Sequence, residues 1–204
     1  MTEFQAQILH NYPTYKEFLE ELAPKQLLSV YWNVSSITQC LEKRYITIID
    51  IREAYSSEKP KAGVDYLERW LIYLNNFSNI NKKLEETNAV AHMIYSGYYF
   101  FTLADLKVLF EKIMRSEYGT FYGSVDAQRI ISSFEEYNKE RKKEASKIQK
   151  INNLIDNWID EDVRSYSVLV EKDEDRNEKI QLFRRKIYQE KFAEYKEKAI
   201  KSIK

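Results

Sequence analysis

Arg115-Ser116-Glu117-Tyr118-Gly119-Thr120-Phe121-Tyr122-Gly123-Ser124-Val125-Asp126 carries two glycines and three aromatic rings in one short stretch. Glycines let a backbone approach a partner closely. Flat rings beside a cation, here Tyr118, Phe121 and Tyr122 beside Arg115, can stack on unpaired bases. The same rings can equally plug a core from a compact turn. The stretch is not a phosphate-binding loop of the nucleotide-hydrolase type, because it lacks the Gly-Lys-Ser/Thr ending and a preceding strand.

Two basic clusters offer a second kind of chemistry. Lys139, Arg141, Lys142, Lys143, Lys147 and Lys150 are offset only by Glu140 and Glu144, and Lys179–Lys204 holds nine basic residues, Arg184, Arg185 and Lys186 among them, against three acidic ones. Such patches attract phosphate backbones, with affinity that falls steeply in salt. On an exposed helix the same residues simply solvate a face. The acidic run Asp160-Glu161-Asp162, with Glu171, Asp173, Glu174 and Asp175, would pair with the lysines and cancel their field if the last helices fold back.

Metal binding and catalysis find no foothold. His10 and His92 are far apart, and neither stands in a metal-ligand spacing with Cys40 or another histidine. Asp160, Glu161 and Asp162 are adjacent, so on a helix they diverge. Cys40 has no local nucleophile signature and reads as a small buried filler. His92, on a largely apolar helix, reads as a hydrogen-bonded core residue. No acid–base pair stands out, so no catalytic residue, metal ligand or cofactor is expected, and the chain reads as non-enzymatic.

The elements that position these residues follow from composition and periodicity. Of 204 residues, 44% are hydrophobic and 14% aromatic, enough to bury a core. Only four Gly and three Pro are present, too few for the turns of a sheet-rich fold. The 32 basic residues balance 32 acidic ones. The lone cysteine cannot form an internal disulfide and the first residues do not resemble a signal peptide, so a cytoplasmic location is expected. Thr87–Ala104 has no formal charge, but Asn88, His92, Ser96, Gly97, three tyrosines and Thr102 make it a core helix plus turn rather than a membrane span.

Short helices are expected at the N-terminus, one beginning at Pro24 and another over Ser35–Glu42. Ile46, Ile48, Ile49 and Ile51 read as helix for want of a partner strand. Val64, Leu67, Trp70, Leu71, Leu74 and Phe77 make one inward helix face. Leu84–Tyr95 forms the next helix, ended by Gly97. Thr102–Asp105 is a capping-box start for a helix burying Leu103, Leu106, Leu109, Phe110 and Ile113, closed by Gly119. Ser124 caps the longest helix, whose seam runs through Ile130, Phe134, Tyr137, Arg141, Glu144, Ile148, Ile151, Ile155 and Trp158. Ile180, Phe183, Ile187, Tyr195, Ala199 and Ile203 mark a last helix that folds back around a turn near Lys172–Asn177. The expected fold is all-α: a multi-helix globular core over 1–140 and a charged hairpin or coiled-coil-like arm over 141–204.

Residues Pro60–Arg141 resemble an uncharacterised family of Bacteroides-type bacteria, their phages and mobile elements. The shared features are a tryptophan helix ending in Leu-Asn-Asn-Phe (Trp70 to Phe77) and the helix start Leu103-Ala104-Asp105-Leu106. They continue with the Tyr-Gly-x-Phe-Tyr-Gly-x-x-Asp turn (Tyr118 to Asp126) and Tyr137 to Arg141. Where that family shows a basic residue before the Tyr-Gly, this chain has Glu117. The resemblance implies an accessory or adaptor role in phage or mobile-element DNA replication. The partners would be single-stranded DNA or a replisome protein, met through Arg115, Tyr118, Phe121, Tyr122 and the basic helices. The alternative is a protein-binding scaffold, virion or regulatory component that self-associates through its C-terminal helices. A third reading, a pocket near Trp70, His92 and Tyr98, is not distinguishable from core in the sequence, and no small-molecule ligand is expected.

Overall fold

The computed structural model describes residues 2–78, 82–122, 124–170 and 175–203. Among them the regular structure is helical, in the order α1 (Glu3–Asn11), α2 (Tyr15–Leu22), α3 (Pro24–Val30), α4 (Ile37–Glu42), α5 (Ile48–Ala54), α6 (Ala62–Phe77), α7 (Thr87–Tyr98), α8 (Leu103–Met114), α9 (Ala127–Leu169) and α10 (Arg176–Ile203). The chain divides into two compact units, Met1–Arg141 and Lys142–Lys204.

Local chemistry fixes most helix starts in the first unit. Capping boxes, in which the first residue's hydroxyl and the third helical side chain satisfy each other's amides, open α1 (Thr2, Gln5), α2 (Thr14, Glu17), α4 (Ser36, Gln39), α5 (Thr47, Asp50) and α8 (Thr102, Asp105). Pro24 occupies the first turn of α3, where its missing N–H costs nothing. The starts of α5 and α8 are stitched side by side. Ile48 N donates to Phe101 O (2.9 Å) and Leu103 N to Ile46 O (2.8 Å), with an isolated bridge between Thr47 and Thr102. The isoleucine-rich stretch is thus a helix entered through one bridge.

The core of this unit is aromatic. Trp70 stacks on Phe110 with centroids 4.6 Å apart, and Phe101 lies against both Phe134 and Tyr137. Val64, Leu67, Trp70, Leu71 and Leu74 on α6 and Leu103, Leu106, Leu109, Phe110 and Ile113 on α8 are all buried. Phe77 departs from the expected inward face and is 54% exposed. It is the last residue of α6, and Asn75 takes the inward position instead, bonding both the amide and the carbonyl of Leu84 at 3.0 Å. Gly97 does not end its helix but lies inside α7. His92 is half-buried at a surface cleft rather than a core residue. Cys40 is buried, as its type suggested.

Asp105, with no exposed surface, is the polar centre of the unit. It closes the α8 capping box, accepts from the Tyr137 hydroxyl at 3.0 Å, and receives Arg141 Nε at 3.1 and 3.2 Å. Burial and the neighbouring Asp105 charge push the nearby Cys40 thiol up to about 12.

In the second unit the α9 segment and α10 form a hairpin. Ile151, Ile155 and Ile159 bury against Ile187, Tyr195 and Ala199, edged by Trp158, Phe183 and Phe192. The expected acid–base cancellation is present in part: Asp160 pairs with Arg184 (2.9 Å), and Asp162 accepts from Lys191 (2.9 Å) and Tyr195 (2.5 Å). Glu171, Asp173 and Glu174, and the Lys172 end of the expected turn, lie outside the described residues.

Candidate functional site

The aromatic–glycine turn starts where α8 stops. Ser116 adopts the left-handed conformation (φ 62°), with its amide bonded to Ile113 O and that of Glu117 to Lys112 O. This is a Schellman closure, so Ser116 rather than Gly119 terminates the helix. Gly119 serves the turn itself. Its φ of 101° suits glycine, and a Cβ there would stand 1.9 Å from Arg129 Nη1, which donates to Tyr118 O. At the far side Asp126, not Ser124, caps α9: its carboxylate accepts from Arg129 N at 2.9 Å. Val125 N donates to Lys82 O and anchors the exit. Gly123 lies outside the described residues.

The charges around the turn are spent on one another. Glu140 on α9 accepts from Lys112 Nζ (2.7 Å) and from the Tyr118 hydroxyl (3.1 Å), and Lys112 lies over the Tyr118 ring. Burial raises the Tyr118 hydroxyl to about 12, with Glu140 adding to the rise and Lys112 opposing it. Burial works against the Lys112 ammonium, but the bonds to Glu140 and Tyr118 outweigh it and raise its pKa. Arg115 faces Glu111 and Glu117 at 3.8 and 4.0 Å.

What remains for a partner is a surface of mixed character, with Ser78 and Ser116 among its lining residues. Phe121 is half-buried and joins Leu74, Phe77, Ile113, Met114 and Thr120 around a cleft of about 220 Å³. Tyr122, the next residue, is 84% exposed. A surface of this kind takes up an apolar side chain and presents a ring with a hydroxyl for hydrogen bonding.

The remaining sequence candidates do not gather here. Lys139 pairs with Glu135 (2.7 Å). Arg141 turns inward to Asp105. In the second unit Lys142, Lys143 and Arg185 are exposed, Lys147 lies 3.9 Å from Glu144, Lys186 lies 3.9 Å from Glu190, and Arg184 is held by Asp160. Trp70 is fully buried and Tyr98 packs on Phe101 and Phe134, and neither lines the cleft that His92 lines. Lys112 and Met114 carry no sequence signal, and Phe77 and Glu140 do not read as site residues. Phe77 carried a signal, as the end of the Leu-Asn-Asn-Phe element, but periodicity assigned it to the core. Among the described residues no cluster of three or more His, Cys, Asp or Glu is placed to hold a metal ion, and no helix is long and apolar enough to cross a membrane.

Fold and site together define an all-α protein with an aromatic turn at its surface. Residues 82–159, fewer than half of the chain, match the model of a family of unknown function, DUF6633. The match takes in α7, α8, the turn and much of α9, and the chain is similar to that family over this stretch. No curated protein and no solved structure matches the chain.

Proposed function

We propose that this is a non-catalytic accessory protein that docks a protein partner on its aromatic turn. The observation that carries the reading is the Phe77–Phe121 cleft with exposed Tyr122 beside it, near which Lys112 and Arg115 are already paired with carboxylates. Exposed rings beside a cleft that pairs apolar side chains with hydroxyl groups, with charge at the rim, suit a protein-binding hot spot. A phosphate backbone would need unpaired cations there. The setting, phage or mobile-element DNA replication in the cytoplasm of a Bacteroides-type host with a replisome protein as partner, rests on the resemblance of the Tyr118–Asp126 turn. The test is quantitative affinity capture from host cells with the full chain and its Phe77→Ser/Tyr122→Ala variant. A protein retained by the first and lost by the second is expected. Identical recoveries overturn the reading.

A second reading is favoured by the hairpin, where Val168, Leu169, Leu182 and Tyr188 are exposed. It is a scaffold, virion or regulatory component that self-associates through the C-terminal helices. Light scattering on the full chain at increasing concentration tests it, and a constant monomer mass removes it. Direct DNA binding would draw on exposed Lys142, Lys143 and Arg185. It predicts a salt-dependent rise in fluorescence anisotropy of labelled single-stranded DNA.

A further inference from the structure

We infer that a cleft between α1, the end of α3 and the segment entering α5 holds a single nucleobase, with the attached phosphate directed to Arg44. The cleft belongs to the first unit, encloses about 180 Å³ and shares no lining residue with the cleft at the aromatic turn. The inference goes beyond the proposed docking role and does not depend on it.

Three observations converge there. First, Tyr45, which lines the cleft, is only 7% exposed, yet its hydroxyl makes no hydrogen bond among the described residues. Leaving such a group unmatched is costly, so it calls for a partner that enters the cleft. The hydroxyls of Tyr12 and Tyr45 stand close enough to Tyr31 that both add to the rise burial imposes on it, to about 12. Tyr31 is therefore protonated and able to donate at neutral pH. Second, the cleft is walled by rings. Phe4, Tyr12, Tyr31 and Tyr45 line it, and the Tyr31 and Tyr45 centroids are 5.2 Å apart at 58°. Rings around a space smaller than the roughly 300 Å³ of a drug-sized site select one flat ring. Third, Gln7 and Asn11 stand four residues apart on α1, side by side at the cleft, and neither side chain is hydrogen-bonded among the described residues. Each amide offers a donor and an acceptor.

Charge narrows the choice. Among the described residues no carboxylate lines the cleft, and its one charged lining residue is Arg44, whose guanidinium lies over the Phe4 ring 4.0 Å from the centroid. A quaternary ammonium, the usual guest of an aromatic cage, would be repelled by that cation. An apolar peptide side chain would leave the amides and hydroxyls unmatched. A base carrying a phosphate uses all three kinds of group: rings for its faces, amides and hydroxyls for its edges, and the guanidinium for the phosphate. Adenine fits best, because one of its edges presents a donor and an acceptor side by side, which an Asn or Gln amide matches with two bonds.

Titration of the ¹⁵N-labelled full chain with AMP, following the Tyr45 and Ile46 backbone amide signals, tests this. Saturable shifts at both are expected. In Gln7→Ala/Asn11→Ala the apparent Kd should rise by about tenfold, from the loss of the paired amide contacts. Both side chains are exposed, so the thermal midpoint without ligand should match the parent. Tyr45→Phe, which keeps the ring and removes the unpartnered hydroxyl, should weaken binding less. Arg44→Gln should weaken AMP while leaving adenosine, which has no phosphate, unchanged. Ribose phosphate, which has no base, should leave the signals fixed. A parallel arm uses a short oligo(dA) strand without terminal phosphates. Shifts with the strand assign the site to a base within single-stranded DNA, and shifts with AMP alone assign it to a free nucleotide. Signals that stay fixed with both, shifts as strong with ribose phosphate as with AMP, an unchanged Kd in the double variant, or equal losses of AMP and adenosine in Arg44→Gln overturn the inference.

Discussion

Arg141 Nε sits 3.1 and 3.2 Å from the two carboxylate oxygens of Asp105, joining the start of α9's charged stretch to the buried start of α8. In sequence Arg141 reads as one residue of a basic patch; in the fold it pairs with a fully buried acid. Removing it leaves the buried Asp105 side chain without an ion-pair partner, held by the hydrogen bonds of Tyr137 and Thr102. Arg141→Met should therefore cost about 3 kcal/mol, and Arg141→Lys less, since an ammonium keeps the charge but not the planar donor. Urea unfolding measures this as a lowered midpoint, and an unchanged midpoint for Arg141→Met would contradict the assignment.

Cys40 lies beside the same cluster, buried and with its thiol pushed up to about 12. Thiolate is the reactive form, so the native protein should be inert to a thiol-disulfide reagent at pH near 8 and should release one equivalent once unfolded. Rapid stoichiometric reaction of the native protein would place Cys40 at a surface.

The glycines should respond in opposite directions. A Cβ at Gly97 meets nothing within 4 Å, and the residue lies inside α7, so Gly97→Ala should stabilise by roughly 0.5–1 kcal/mol through helix propensity. Gly119→Ala forces an alanine to φ 101° and displaces the Arg129 guanidinium, and should destabilise by about 1 kcal/mol or more. Thermal midpoints that move in the same direction for both would refute the turn geometry.

Much of the fold is legible because it is written at short range. The Thr102–Asp105 capping box, the Pro24 start and the inward faces of α6 and α8 depend on residues three or four apart, and the structure shows them with the exception of Phe77. The hairpin is legible for the same reason, since its seam of Ile151, Ile155, Ile187 and Tyr195 repeats at helical spacing. Boundaries were harder. Gly97 reads as a stop, but an exposed glycine next to good helical contacts can be carried through, and Ser124 competes as a cap with Asp126 two residues on. Pairings across long separations leave no local trace. Arg141 with Asp105, and Arg52, Lys61, His92 and Tyr95 around one cleft, become neighbours only after the helices pack. The turn is legible in composition, but its division of labour is not, because Tyr118 and Glu140 meet only across the fold.

Asp65 makes stability pH-dependent. Burial alone would raise its pKa, but bonds from Lys59, Arg69 (2.8 Å) and Tyr15 (2.8 Å) prevail and hold it below the ordinary 3.8. A depressed folded pKa contributes stability that is fully present above the unfolded value and disappears as pH falls through the folded one. Asp65→Asn should therefore be less stable than the parent at neutral pH by roughly 1 kcal/mol, given partial exposure and solvent screening. The gap should close as pH falls below about 4. A gap that stays constant into that acidic range would rule out this ion-pair origin.

The central claim, that the turn presents its rings to a protein, is tested most directly by placing a photo-crosslinking amino acid at Tyr122 in the full chain, in host cells, with Lys16 on α2 as an equally exposed control position. The account predicts a discrete adduct at position 122, absent at 16, that is destroyed by protease and untouched by nuclease. Nuclease-sensitive adducts at 122, or the same adduct pattern from both positions, would contradict it.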